Sequence, residues 1–230
     1  MTYELNVKVY LLKDITINEM MGKIAALIDG TLGQDEEYLR FHKENKHKGY
    51  VFDGLYPVER EVIYHQGKIY TLRIRTVDST LADYFEKYLF TAYTDEIKVL
   101  TVTKRLIPQK HIEKIYTLTP CVIKNDFGYW RGHMTIEDYE RRIRENLIKN
   151  FNQFYGEKIN ENFELFTRVE FDNRKPISIP FKNNITLLGD KLTLYVSENE
   201  MAQSLTCFAL GTGVGEGGSR GFGFCGYKYL

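Results

Sequence analysis

Two stretches of the sequence carry residue types suited to a phosphate ester. The first is Gly211-Thr-Gly-Val-Gly-Glu-Gly-Gly-Ser-Arg-Gly-Phe-Gly-Phe224, with seven glycines in 14 residues. Glycine tolerates positive φ and close backbone approach, so successive N–H groups can converge on one anion. Gly213, Gly215, Gly217, Gly218, Ser219 and Gly221 are the backbone candidates, and Arg220 adds a planar fork that matches phosphate. No Gly-Lys-Ser/Thr follows, so this is not a P-loop; a helix precedes it and a strand follows, so it is not a dinucleotide fingerprint. A flexible loop or bulged hairpin is the other reading. The second stretch is Arg40-Phe-His-Lys-Glu-Asn-Lys-His-Lys48, where Arg40, Lys43, Lys46 and Lys48 face one acid, Glu44. Histidine can move protons near neutral pH, and a neighbouring lysine can stabilise charge developing on phosphorus. Its other reading is a solvated helix end, where Lys and His commonly gather.

His42 and His47 are poor metal ligands, because no acidic or cysteine partner has the spacing a metal site needs. No metal and no cofactor are expected. Further basic residues lie in the second half: Arg168, Arg174, Lys175 and Lys182, with Phe166 and Arg168 on one face of a strand. Arg141, Arg142 and Arg144 read as a solvated helix face paired with Glu137, Glu140 and Glu145. His65, His111 and His133 have no partner visible in the sequence.

The elements that must hold these residues come in two similar series. Residues 2–12 alternate as a half-buried strand, with Tyr3, Leu5, Val7, Val9 and Leu11 on one face. Thr16 caps a 3.6-period stretch through Ile17, Met20, Met21, Ile24, Leu27 and Ile28, which Gly30 or Gly33 stops. A short helix runs from Asp35 to about Lys43, so His42 sits at a helix end one turn from Tyr38. His47 falls in a Lys-rich loop before Gly49, where little packing is expected. Strands are read at 49–56, 60–65 and 68–76, with Gln66-Gly67 as a hairpin turn between the last two. A helix around Leu81–Leu89 and a strand at 96–105 complete the first series. The second runs strand 112–123, long helix from Thr135 to about Phe154, strands 163–171, 177–182 and 185–196, helix 199–209 and strand 221–229. The fold class is α+β, as two tandem ferredoxin-like (RRM-like) βαββαβ domains with a Gly-rich loop near the C-terminus. The expected boundaries are 1–108 and 109–230, with the loop at 211–223.

Composition agrees with a globular chain: 230 residues, 43% hydrophobic and 27% charged. The 31 basic and 31 acidic residues balance, so a nucleic-acid partner needs a local basic face rather than global charge. The cysteines Cys121, Cys207 and Cys225 are odd in number and widely spaced, which argues against a disulfide framework and for a reducing cytoplasm. No signal peptide and no membrane-spanning run are read.

Three features together resemble the CRISPR-associated endoribonuclease that matures CRISPR guide RNA, the sixth of the CRISPR-associated protein families. They are the loop ending Gly221-Phe-Gly-Phe224; the helix end Arg144-Glu-Asn-Leu-Ile-Lys-Asn-Phe-Asn-Gln-Phe-Tyr-Gly156; and the His42 segment leading into Tyr50-Val-Phe-Asp-Gly-Leu-Tyr56. The resemblance covers nearly the whole chain. It implies metal-independent cleavage of the repeat in precursor RNA, leaving a 2′,3′-cyclic phosphate. It implies a catalytic histidine between the first helix and second strand, which His42 matches, and a lysine a few residues on, which Lys48 matches. The family's tyrosine in the first helix has no counterpart between Ile24 and Ile28, and Tyr38 is the nearest substitute. Lys46, His47, Arg168, Arg174 and Lys175 are expected to join the glycine loop in holding RNA. CRISPR repeat RNA is the implied partner, with other CRISPR-associated subunits and a symmetric dimer as further implied associations.

Three functions are compatible with these residues. One is the RNA endonuclease. Another is a non-cleaving RNA-binding subunit of the same fold. The third is a ferredoxin-like enzyme for a phosphorylated small molecule.

Overall fold

A computed structural model of the chain describes every residue except Asn45 and residues 182–184, and all further side chains except those of Phe41, His42 and Lys43. The first half contains β1 (Tyr3–Leu11), β2 (Ile15–Thr16), α1 (Ile17–Leu32), α2 (Glu36–Lys43), β3 (Tyr50–Phe52), β4 (Ile63–Tyr64), β5 (Ile69–Thr76), α3 (Ser79–Leu89) and β6 (Ile97–Leu106). The second contains β7 (Ile112–Thr117), α4 (Ile136–Tyr155), β8 (Phe166–Phe171), β9 (Ile177–Pro180), β10 (Thr186–Gly189), β11 (Leu192–Val196), α5 (Glu200–Thr212) and β12 (Cys225–Tyr229). A short 3-10 turn, Gly218–Arg220, lies between α5 and β12.

The two main sheets are β3-β5-β1-β6 and β12-β7-β11-β8, antiparallel throughout. Counting main strands within each half, both orders read second-third-first-fourth or its reverse. That is the ferredoxin-like arrangement, and the α+β tandem expected from element order is what the chain adopts. Alternation drives it: Leu5, Val7, Val9 and Leu11 are fully buried beneath α1 and α3, while Asn6, Lys8 and Tyr10 face away. Caps fix the helix starts. Asp35 accepts from the N–H groups of Glu37 and Tyr38, Asp78 from Thr80 and Leu81, Thr135 from Asp138, and Asn199 from Ala202. Gly156, at φ +70°, ends α4 in the left-handed conformation.

Two local expectations are corrected. Gln66-Gly67 does not join paired strands. Residues 60–62 are exposed, β4 is two residues long and pairs with β2, and Gly67 N–H donates to Leu11 O at 2.9 Å. The strand expected through 123 ends at Thr117. Beyond it the chain leaves the ladder, and Cys121 exchanges N–H and C=O with Asp190 at 2.8 and 2.9 Å.

The halves meet over a buried charge. Arg75 Nε donates to Glu4 at 2.8 Å, its Nη1 to Cys225 O at 2.6 Å, and its guanidinium lies 4.3 Å from the Phe224 ring centroid. Arg105 binds the other Glu4 oxygen at 2.6 Å. Burial pushes the Glu4 carboxyl up, but the two arginines together outweigh it and hold it below its ordinary value. Among the described residues no helix is long and apolar enough to cross a membrane.

Candidate functional site

The glycine loop lies against the first half rather than projecting into solvent. Its 3-10 turn packs on α1 and β3. Five of its glycines, at 213, 215, 217, 221 and 223, have φ between +67° and +85°. A Cβ on Gly221 would overlap Met21 Cε and lie 2.7 Å from the Phe52 ring; one on Gly218 would overlap Thr212 O and lie 3.2 Å from Tyr50 O. Glycine is needed here because two backbones and a core come together. The N–H groups of Arg220 and Gly221 close the 3-10 turn onto Gly217 O and Gly218 O, each at 2.8 Å. Those of Gly217, Gly218 and Ser219 donate to no acceptor among the described residues.

That contact carries Arg220 across to the first half, where its Nη1 donates to Asp29 Oδ2 at 2.7 Å. It also brings Arg220 near Lys48, two residues before β3. Burial, with the Arg220 and Lys46 charges adding to it and Glu44 opposing, holds the Lys48 ammonium below its ordinary value. Lys48 Nζ donates to Glu44 O at 2.6 Å. From the other side come aromatics of the second half. The His47 ring lies 6.1 Å from that of Phe208, and Gly49, at φ +64°, leaves Phe154 3.6 Å from where its Cβ would be.

His47 is therefore packed, contrary to the loose loop expected. Its Nδ1 accepts Gly49 N–H at 3.2 Å, and burial pushes its pKa down to about 4. The ring is neutral at pH 7, with the proton on Nε2. Lys46 pairs with Glu44 at 3.0 Å on the exposed side. His42 lies in the last turn of α2, the helix that leads into this strip; its side chain, and Lys182, fall outside the described residues. The Tyr38 ring packs on Tyr84 at 4.1 Å, tying α2 to α3, and burial raises its phenol pKa. No described contact takes it to the glycine loop.

The remaining basic residues lie on β8 and in the β8–β9 connection. Arg168 is exposed, paired with Glu170 and 5.4 Å from the Tyr195 ring centroid. Arg174 and Lys175 are exposed in the β8–β9 connection. Asp190, fully buried, organises that connection: it accepts from Tyr129 and Trp130 at 2.7 Å and from Asn173 at 2.9 Å. The α4 arginines differ from their expected pairing. Arg141 takes Asp138 as well as Glu145, Arg142 reaches Lys124 O and Glu216, and Arg144 donates to Glu161 O.

Burial raises the thiols of Cys121, to about 12, and of Cys225, so neither is a nucleophile at neutral pH. Among the described residues no cluster of three or more His, Cys, Asp or Glu could hold a metal. Sequence reasoning missed Asp29, Arg75 and Asp190. Arg75 and Asp190 sit at positions where alternation or turn chemistry predicts solvent. The one legible sign of Asp29 is an acid in the last turn of a helix, where the dipole disfavours it.

The model of the family described as CRISPR associated protein Cas6, C-terminal, matches residues 103–227, more than half of the chain. The chain belongs to the Cas6 family. No curated protein matches it in sequence. Among solved structures, one described as a CRISPR associated protein Cas6 is 20% identical, with 99% of this chain and 100% of that one covered at a TM-score of 0.73. A Cas6-related protein from Pyrococcus furiosus is 17% identical, with 99% of each chain covered at 0.75. A Cas6 product complex is 16% identical, with 99% and 100% covered at 0.68. At these identities the likeness establishes that Cas6 proteins and this chain share one fold along their whole length. It transfers no residue role.

Proposed function

We propose that this Cas6-family chain is an endoribonuclease that cleaves CRISPR precursor RNA within its repeats, without a metal. The 2′-OH beside the scissile phosphate attacks phosphorus. The 2′-O–P bond forms, the P–O5′ bond breaks, and the products are a 2′,3′-cyclic phosphate and a 5′-OH. One proton leaves the 2′-OH and one is delivered to the departing O5′. His42 moves one of these protons; Lys48 and Arg220 neutralise the crowded phosphate oxygens. Lys46, Arg168, Arg174, Lys175 and the N–H groups of the glycine loop hold the RNA backbone. Tyr38 packs α2 in place rather than touching substrate in this reading. Two domains, 1–108 and 109–230, each supply one side of the site.

The observation that carries the proposal is the packing of turn 218–220 on α1 and β3, which sets Arg220 near Lys48. Family membership and relatives described as a product complex and as a protein binding different RNA substrates support RNA as the ligand. The test is single-turnover cleavage of a labelled repeat RNA at saturating protein. Cleavage is expected in EDTA, and a single 2′-deoxy substitution at the scissile site should abolish it with binding retained. His42→Ala should slow it by about 10²–10⁴-fold. Cleavage of the deoxy substrate would overturn the mechanism. Tight binding with every substrate left whole would make the chain a non-cleaving RNA-binding subunit instead.

A further inference from the structure

Asp29 is at odds with its own helix. It sits in the last turn of α1, where the backbone dipole disfavours a carboxylate, and α1 has no basic residue in that turn to offset it. One offsetting cation comes from 191 residues further along the chain: Arg220 Nη1, with both side chains only 21–25% exposed. A position that breaks a local rule and is compensated from afar is where function is expected. The pair is not needed to join the halves, because Arg75 already does so through Cys225 O and Phe224. Among the described residues Arg220 donates only from Nη1. Its Nε and Nη2 keep their hydrogens, and a guanidinium edge of that kind matches two phosphate oxygens at once.

We propose that Asp29 is a positioning residue for Arg220: it grips the guanidinium by Nη1 so that the Nε–Nη2 edge faces the same phosphate as Lys48. This rests on the RNA-cleaving reading above. Asp29 itself touches no reacting atom. Without its grip, Arg220 still carries its charge but samples many orientations, and the lost preorganisation falls on the rate more than on affinity.

The experiment uses the full chain, repeat RNA and three measurements: single-turnover rate at saturation, Kd and Tm. Arg220→Ala is expected to slow cleavage by about 10²-fold, the scale of one lost donor to a developing anion. Asp29→Asn should slow it about 10-fold while Kd moves by less. In the Arg220→Ala background Asp29→Asn should slow cleavage no further, since the guanidinium it positions is gone. The exchanged pair, Asp29→Arg with Arg220→Asp, should recover the Tm lost by Asp29→Ala and leave cleavage slow. Recovery of both Tm and cleavage would make the pair a mere clamp and overturn the proposal. So would losses that multiply in the double variant, or an Asp29→Asn chain with the wild-type rate. A wild-type chain that does not cleave repeat RNA would instead overturn the functional reading, and this inference with it.

Discussion

His47 shows how far a side chain's chemistry depends on what it touches. In the sequence it is one of two histidines in a basic stretch, equal to His42 in residue type. In the structure it is a neutral ring, hydrogen-bonded through Nδ1 and set against Phe208. Its pKa of about 4 lies below the ordinary 6.5, so the unfolded chain binds the extra proton first. The stability this contributes is whole above pH 6.5 and is lost as pH falls towards 4. Thermal unfolding of His47→Gln should therefore depend less on pH between 7 and 5 than that of the wild type. Parallel curves for the two proteins would mean that the ring titrates normally. Cleavage by His47→Ala should fall far less than by His42→Ala, because a group neutral down to about pH 4 is a weak proton acceptor at neutral pH.

At the scale of elements, the helices and the main strands were legible, since periodicity and caps are local. The glycine loop was legible as special but not as buried. If Gly221 were only a backbone candidate in a flexible loop, a valine there would leave the fold undisturbed. Its φ of +82° and the Met21 and Phe52 atoms where a Cβ would go rule that out. Gly221→Ala should destabilise by about 1–3 kcal/mol from overpacking, plus the cost of a left-handed backbone. Gly30→Ala is the control. It lies inside α1 with nothing within 4 Å of a Cβ, and should gain about 0.5–1 kcal/mol. Urea unfolding of the two variants checks both signs. A neutral Gly221→Ala would mean the loop stands off the first half.

At the scale of the whole molecule, the joint between halves is the Glu4–Arg75–Arg105 group under Phe224. Removing one partner of a buried pair leaves the other charge without compensation, at a cost of about 3–5 kcal/mol. Arg75→Ala should lower the urea midpoint accordingly, and should let the halves unfold in separate transitions. A single unshifted transition would mean that Arg105 alone satisfies Glu4. Because Glu4 is held below its ordinary pKa, its contribution is present above about pH 4.5 and lost as pH falls below that.

The sequence by itself determined the α+β class, the doubled strand–helix order and the two stretches that carry the proposed chemistry. Each of these is written in local spacing: apolar residues at period two or 3.6, caps at helix starts, glycines in one run. Tertiary structure decided which groups meet and what state they are in. Arg220 lies 191 residues from Asp29, and Arg75 lies 150 from Cys225. No periodicity records such pairs, because they form only when two separately patterned halves close on each other. The same closure takes water from His47, and with it goes the ordinary pKa that residue type alone would assign.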